Sequence, residues 1–577
     1  MEKNRFYLFG FVKPLLIFFI MTAVINLIFV GLDNIIPQIV RVIVDQVIIG
    51  KNFANFYLML SSLLAIGLIR GVLGYAREYF CDTAGSRIGC NIRKDLFAKI
   101  QKLSANFFDR INSGELMSRV MDDVNSIWEL FTYVGMLCME IAIHVTVVIF
   151  FMFKMNWKLA VFPTAGILIC GFISVMMNKY IGPMFGAIFD ENSKLNNMVQ
   201  ENIAGVRTVK SFLREKYETA KFRRHNLKYF ELNYKQSKTF ANFNPIFMFA
   251  RVLIPLIMLV HGGIFCMQDK ITLGELTAFM QYSMNIAWPV EMIGWLSACV
   301  ARGFQGIKRI DGIYREIPQI EDSPCAREMV VGEIKGAIQF KNVSFTAENK
   351  TRVLRNVSFS IEGGKTLGIM GSTGSGKSTV INLLKRMYDI TEGQILLDGL
   401  DIRDLKLESL RKSIATVSQD VFLFSDTIDS NIRLGEKDEL TESSVDRSLE
   451  EAAAAQFVSK LEDGKNTVIG ERGIGLSGGQ KQRLTIARAL SRTKAPVLVF
   501  DDSTSALDTE TEKRIQQMLE EKKNATKIII AHRISAVKHA DLILVMENGS
   551  VAECGTHLEL LEKKGLYWQT WQIQNDL

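Results

Sequence analysis

Residues Gly371 to Thr379 read GSTGSGKST, which fits the pattern G-x-x-x-x-G-K-[ST] through Gly371, Gly376, Lys377 and Ser378. An apolar run, Thr366 to Met370, precedes the stretch, and a helix-like segment, Ser378 to Met387, follows it. A strand, a glycine-rich turn and a helix in that order make an anion cradle. The glycines let successive backbone N–H groups turn inward, and the helix points its positive end at the same place. Lys377 is then placed to reach the β- and γ-phosphates of a nucleoside triphosphate, and the Ser378 hydroxyl to ligate Mg²⁺. A Gly/Ser-rich turn that binds nothing would match the pattern by chance in roughly a few per cent of chains this long. The flanking strand and helix weigh against that alternative.

Around this loop the second half of the chain has the texture of an α/β domain. Ile317 to Gly332, with Pro318 and Pro324, reads as a linker. Short strand-like runs follow at Ala337 to Thr346, Val353 to Ile361, Thr366 to Met370 and Gln394 to Asp398. Val497 to Phe500 is a continuous apolar strand ending in Asp501 and Asp502, and Lys527 to Ala531 is another ending in His532. In an open parallel sheet ligands sit beyond the carboxyl ends of the strands, so Asp501 and His532 are expected to arrive at the Gly371 loop. Asp501 would help to hold Mg²⁺ there. Leu476 to Gln480 reads LSGGQ and opens a helix, KQRLTIARAL, with its basic residues near the start. A serine and two glycines at a helix N-terminus make a second anion cradle on the same domain. A simple helix cap is the alternative, but a cap requires neither two glycines nor a glutamine.

The first half is different. The chain has 577 residues, 48% hydrophobic and 22% charged, with a net charge of +7, and its mean hydropathy is positive. Six apolar runs are long enough to cross about 30 Å of hydrocarbon: Leu15 to Ile36, Phe56 to Tyr75, Val134 to Phe153, Leu159 to Met177, Ile246 to Met267 and Leu273 to Val300. The N-terminus, with Lys3, Arg5 and Lys13 before the first run, resembles a signal peptide but lacks a small-residue cleavage site. It reads as a first span that starts in the cytoplasm. Short outer loops then lie near Asp45 to Asn52, Lys154 to Trp157 and Gln268 to Lys270, with long inner excursions at 76–133 and 178–244. Lys179 to Lys238 carries twelve Lys/Arg against six Asp/Glu, as cytoplasmic loops do. Topology therefore explains the positive charge better than nucleic acid does. The eight cysteines form no CxxC pair and no ligand-like cluster.

Both inner excursions keep helical spacing, so the helices are expected to run far out of the membrane. The first should turn near Asn106 to Gly114, with a new helix starting at Glu115. Five ionisable residues are singled out within the spans: Arg70, Glu140, His144, Arg251 and Glu291. Charges in lipid are costly and should face the bundle interior, a wet cavity or one another. Two readings stand side by side. In one, Glu140, His144, Arg251 and Glu291 line a cavity open to the cytoplasm or inner leaflet. In the other, Glu140 and His144, an i, i+4 pair, satisfy each other.

These residues carry a close resemblance over nearly the whole chain. It resembles a half-transporter of the ABC exporter family, a six-helix membrane domain (1–316) and a linker (317–335) ahead of an α/β nucleotide-binding domain (336–577). GSTGSGKST resembles the family's Walker A loop, VLVFD its Walker B strand and LSGGQ its signature motif. Gln419 in VSQDVFLF resembles the Q-loop, Ser505 to Asp508 the D-loop and His532 the switch histidine. FFDRINSGELMSRV and ENIAGVRTVKSF resemble the two intracellular loops. The resemblance implies nucleotide contacts from Gly371, Ser372, Thr373, Gly374, Ser375, Gly376, Lys377, Ser378 and Thr379. It implies others from Ser477, Gly478, Gly479 and Gln480 toward the ATP of a second copy or partner, because two nucleotide domains pair head to tail. Mg²⁺ would be held by Ser378, Gln419 and Asp501, and catalysis would fall to Asp502, His532 and Gln419.

The sequence departs from the family in two places. The residue after the Walker B Asp, usually Glu, is Asp502. The shorter side chain retracts the carboxylate that polarises the attacking water, and a misplacement of about 1 Å can cost on the order of 10²-fold in rate. With an intact signature, this pattern resembles the degenerate-site subunit of heterodimeric multidrug exporters. Ala347 stands where the family usually has an adenine-stacking aromatic, and Phe345 is the candidate substitute. The expectation is therefore a transport ATPase in the cell membrane, with its N-terminus and nucleotide domain cytoplasmic. It would export hydrophobic or cationic amphipathic compounds beside a second half-transporter, with membrane lipid as its other partner and no nucleic acid. A homodimeric lipid or peptide exporter using Asp502 as base and a non-hydrolysing regulatory subunit are the alternatives. The short segment before the first span leaves no room for a peptide-cleaving domain.

Overall fold

The computed structural model describes residues 9–575 apart from 286, 435–439, 471–472, 474 and 504–506, with backbone alone at 9, 170, 174–175, 178, 244, 247, 250–251, 287–288, 290–291, 293–294, 331 and 575. The chain divides into two compact units. The first comprises Met1–Lys102 and Asn112–Ile317, and the second Leu103–Ile111 and Pro318–Leu577.

Among the described residues the first unit is built of helices. Its principal helices are Leu16–Val42, Phe56–Gln101, Gly135–Met155, Trp157–Ala204, Glu215–Met267, Leu273–Asn285 and Ala287–Arg315. Among the described residues three stretches are long and apolar enough to cross a membrane by length and composition: Gly10–Ile49, Phe56–Gln101 and Ser113–Met155. Trp157–Ile173 and Val252–Met267 are shorter apolar helices. Leu58, Leu64, Leu68, Val72, Phe150, Leu168 and Phe172 are all exposed, which helices in lipid tolerate and a water-soluble bundle would not.

The breaks between these helices have local causes. Asn156 separates two of them within one residue, its side-chain oxygen accepting from the N–H groups of Lys158 at 3.1 Å and Leu159 at 3.3 Å. Asn112 caps the helix that starts at Ser113, accepting from Gly114 N–H at 3.0 Å. In the second excursion the helix stops at Gly205, a short helix runs over Val206–Ser211, and Leu213 turns the chain with a φ of 55°. Buried Tyr282 fastens the interior, donating to the Asn34 carbonyl at 2.6 Å and accepting from Gln38 at 3.0 Å.

The short helix Ala105–Arg110 interrupts the first unit in sequence but packs with the second. Tyr388 donates to Asp109 at 2.8 Å, and the Ser104 hydroxyl accepts from Gln319 N–H at 2.9 Å.

Among the described residues the second unit holds two sheets. The antiparallel one has the order β2-β1-β4-β5, from β1 (Ile338–Thr346), β2 (Arg352–Ile361), β4 (Glu392–Leu397) and β5 (Leu400–Asp401). The other has the order β10-β9-β3-β8-β7-β6, from β3 (Thr366–Gly371), β6 (Ile414–Val417), β7 (Val497–Asp501), β8 (Thr526–Ile530), β9 (Leu542–Glu547) and β10 (Ser550–Gly555). It is parallel except for the β10 edge. All five residues of β7 are buried, so it reads as a continuous apolar run, as strands covered on both faces do.

Candidate nucleotide site

Strand register brings the sequence-derived residues to one edge. Ile369 on β3 pairs with Ile530 on β8, and Asp501 at the end of β7 pairs with Ile530 as well. The Gly371 turn, Asp501 and the His532 segment therefore leave the sheet side by side, and Gln419 follows β6, the neighbour of β7. This is the carboxyl edge where an open parallel sheet offers its crevice.

The loop itself needs glycine at two places. A Cβ on Gly371 would stand 2.3 Å from the Met546 carbonyl, and one on Gly376 would stand 2.6 Å from Leu354. Gly376, at a φ of 98°, is the left-handed residue that hands the turn to the helix Lys377–Leu384. Lys377 is buried, and its ammonium donates to the loop carbonyls of Gly371 at 2.8 Å and Ser372 at 2.7 Å. Burial lowers its pKa, while Asp501 and Asp502 pull the other way. Burial raises the Asp501 pKa, against the hydrogen bond from Ser378. The Ser375 hydroxyl is buried without a hydrogen-bond partner. A buried ammonium, an unsatisfied hydroxyl and a loop backbone held close at Gly371 and Gly376 suit the phosphates of a nucleotide. Among the described residues no group of three His, Cys, Asp or Glu could hold a metal ion. A divalent cation at Ser378, Asp501 and Gln419 would complete its oxygen ligands from nucleotide and water.

Asp502 follows at a φ of 45°, and its N–H donates to the Ile530 carbonyl at 3.0 Å. His532 is exposed and lies close enough to Asp501 to act on its carboxylate. Ser505 and Ala506 of the D-loop stretch lie outside the described residues.

At the other motif one expectation is corrected. Ser477 and Gln480 form a capping box on the helix Gly478–Leu490: Gln480 Oε1 accepts from Ser477 N–H at 2.8 Å, and the Ser477 hydroxyl accepts from Gln480 N–H at 3.3 Å. The glutamine does serve a cap, in the Ser-x-x-Gln spacing that marks one. The helix joins a second core with Leu423, Val445, Leu449 and Phe500. Ala347 forms a turn, donating to the Thr351 carbonyl at 2.9 Å. The nearby Phe345 ring packs on Tyr388 with centroids 5.7 Å apart.

In the first unit Glu140 does not stand unpaired, nor is His144 its partner. Arg77 donates to Glu140 at 2.8 Å and to Asn26 at 2.9 Å. Arg70 pairs at 2.6 Å with Asp33, a carboxylate in the first apolar run that the sequence reading passes over. The side chain of Phe29 lies under both guanidiniums, 4.6 Å from Arg70 and 4.2 Å from Arg77. A guanidinium just beyond one apolar run and a carboxylate inside another reach each other because the helices pack closely. The side chains of Arg251 and Glu291 lie outside the described residues.

Comparison with known proteins agrees with this geometry. Residues 15–290 match the ABC transporter transmembrane region family, and residues 354–505 match the ABC transporter family. The chain is 34% identical to YknU of Bacillus subtilis, an uncharacterized ABC transporter ATP-binding protein, over 96% of this chain and 95% of that one. It is also 34% identical to an ATP-dependent lipid A-core flippase of Desulfotalea psychrophila, over 93% of each. Among solved structures, a bacterial Atm1-family ABC exporter with ATP bound superposes with a TM-score of 0.82 at 27% identity, over 99% of each chain.

Proposed function

The chain belongs to the ABC exporters, as a half-transporter with its membrane domain fused ahead of its ATP-binding domain, and on that premise we propose that it is the degenerate-site half of a heterodimeric exporter. It is a membrane protein and a transport ATPase. The observation that carries the finer reading is Asp502. Its carboxylate is one methylene shorter than the family's glutamate, and its backbone is tied to Ile530, so reach is not recovered by a simple shift of the strand. Ser477 to Gln480 keep the LSGGQ pattern. In a head-to-tail pair they would face the triphosphate bound to the partner's Walker motifs.

In this chain's own site Lys377 would leave its loop carbonyls for the β- and γ-phosphates, and the loop N–H groups would hold the same anion. Ser378, Asp501 and Gln419 would hold Mg²⁺, which supplies charge neutralisation between the phosphates. His532 would meet the γ-phosphate. The substrate class is amphipathic, hydrophobic or cationic, taken from the inner half of the membrane, and the basic inner loops put the N-terminus and the ATPase domain in the cytoplasm. A second reading, a homodimeric lipid exporter, draws support from the lipid A-core flippase among the relatives.

The test is the chain purified alone in lipid nanodiscs. Slow ATP turnover is expected, with ATP binding intact. Robust ATPase that is lost in Asp502→Ala would overturn the degenerate-site reading and favour the homodimer.

A further inference from the structure

The C-terminal helix Leu566–Asn575 ends beside the segment that follows β8. That segment has few means of holding its own shape. The Ala531 N–H makes a bond to the sheet, donating to the Ile369 carbonyl at 3.2 Å. Beyond it the short helix Ile534–Val537 begins with no side-chain cap of its own at Arg533, leaving first-turn N–H groups to be satisfied from elsewhere. One side chain supplies what is missing on the far side of His532, from its own carbonyl to Ile534. Gln574 Nε2 donates to the His532 carbonyl at 2.8 Å, and Gln574 Oε1 accepts from the Ile534 N–H at 2.9 Å.

Gln574 is itself well placed. Glu553 accepts from the first N–H groups of its helix, including Tyr567 at 3.2 Å, and the buried Tyr567 hydroxyl lies 2.7 Å from His557 Nδ1. One turn before Gln574, Trp571 packs against a core that contains Met370, Ala531 and Ile534. Residues three apart share a helix face, so the core that seats Trp571 also aims Gln574.

We propose that Gln574 is a positioning residue for His532: its amide fixes the backbone from the His532 carbonyl to Ile534, while the Ala531 N–H holds the preceding residue to the sheet, and so sets the direction in which the imidazole meets a bound nucleotide. The proposal rests on the reading of His532 as the residue facing the γ-phosphate. Glutamine is suited to the task because one carboxamide carries both a donor and an acceptor. Glutamate would keep the acceptor for Ile534 but set a carboxylate oxygen against the His532 carbonyl.

The experiment measures MgATP and MgADP affinity, by displacement of a fluorescent nucleotide, for the full chain in nanodiscs. The variants are His532→Ala, Gln574→Ala, Gln574→Glu and the double variant His532→Ala/Gln574→Ala. A lost hydrogen bond to a charged group weakens binding by roughly tenfold. That loss is expected for ATP in each single variant, with ADP affinity and melting temperature unchanged and no further loss in the double variant. If His532→Ala weakens ATP while neither Gln574 variant does, the positioning role is wrong and the histidine reading stands. If Gln574→Ala weakens ADP equally, or adds its effect to His532→Ala, Gln574 is a packing residue and the proposal fails. If His532→Ala leaves ATP affinity unchanged, the histidine reading falls and the proposal falls with it.

Discussion

The backbone N–H of Asp502 donates to the Ile530 carbonyl at 3.0 Å, so the residue after Asp501 is tied across from β7 to β8 in a left-handed turn. Aspartate tolerates that conformation better than most residues. If short reach is what slows this site, Asp502→Glu restores the missing methylene and raises turnover by about tenfold or more. A lower melting temperature should accompany it, because glutamate fits the turn less well. Steady-state ATPase and thermal unfolding of the same preparation check both halves. Unchanged turnover with the backbone intact would show that reach is not limiting.

Arg77 and Glu140 are both largely buried, and removing one member of such a pair strands the other. Glu140→Leu should cost roughly 3–5 kcal/mol, whereas Arg77→Met with Glu140→Leu should recover most of it, since well-packed apolar replacements of a buried pair are often neutral. Thermal unfolding in detergent for the two singles and the double reads this out. A double variant no better than Glu140→Leu would mean that the pair contributes nothing specific.

Ala347 offers no ring to a base, and Phe345 is engaged with Tyr388. GTP should therefore compete with ATP about equally at this chain's Walker loop. Ala347→Tyr should tighten ATP by roughly tenfold, within the range for stacking a base on an aromatic. Competition binding checks this, and a strong preference of the parent for ATP would mean that another side chain reads the adenine.

What the sequence made legible was what local spacing determines. Gly371, Gly376 and Lys377 lie within one turn, and Asp501 and His532 end apolar strands, so each announces itself within a few residues, whereas the helix expected from Glu115 starts at Ser113 under the Asn112 cap. Arg77 and Glu140 are 63 residues apart, and nothing in either neighbourhood names the other. Asp33 is legible as a carboxylate inside an apolar run, but nothing near it in sequence names Arg70 as its partner. The capping role of Gln480 follows the Ser-x-x-Gln spacing and is local, but the two glycines between Ser477 and Gln480 point more strongly to an anion than to a cap. The packing of Ala105–Arg110 with the second unit depends on Tyr388 and Gln319, far along the chain and invisible to periodicity.

Glu191 gives a pH dependence with a defined sign. Its buried carboxylate lies 2.7 Å from His225, 3.3 Å from Lys194 and 3.7 Å from Lys228. The hydrogen bond with His225, then those lysines, hold its pKa below the ordinary 4.5. A depressed carboxylate contributes stability that is present above its unfolded pKa and lost as pH falls through the folded value. Glu191→Gln should therefore lower the melting temperature near neutral pH, and the gap should close in the acid range below about 4.5. A gap of constant size across that range would assign the effect to packing instead of charge.

The division of labour between two ATP sites makes the sharpest prediction. If the site built on Gly371 to Thr379 lacks an effective base, Asp502→Ala lowers the ATPase of the assembled heterodimer only modestly, by less than about threefold. Ser477→Arg removes a serine that would face the partner's γ-phosphate and puts a bulky cation in its place. Loss of one such donor costs on the order of 10²-fold in rate, so this change should abolish most turnover. The order is the reverse of what proximity suggests, since Asp502 stands beside its own Asp501 and Ser477 caps a separate helix. Measured on the co-purified pair, a large loss from Asp502→Ala with little from Ser477→Arg would place hydrolysis in this chain's own site and end the degenerate-site reading.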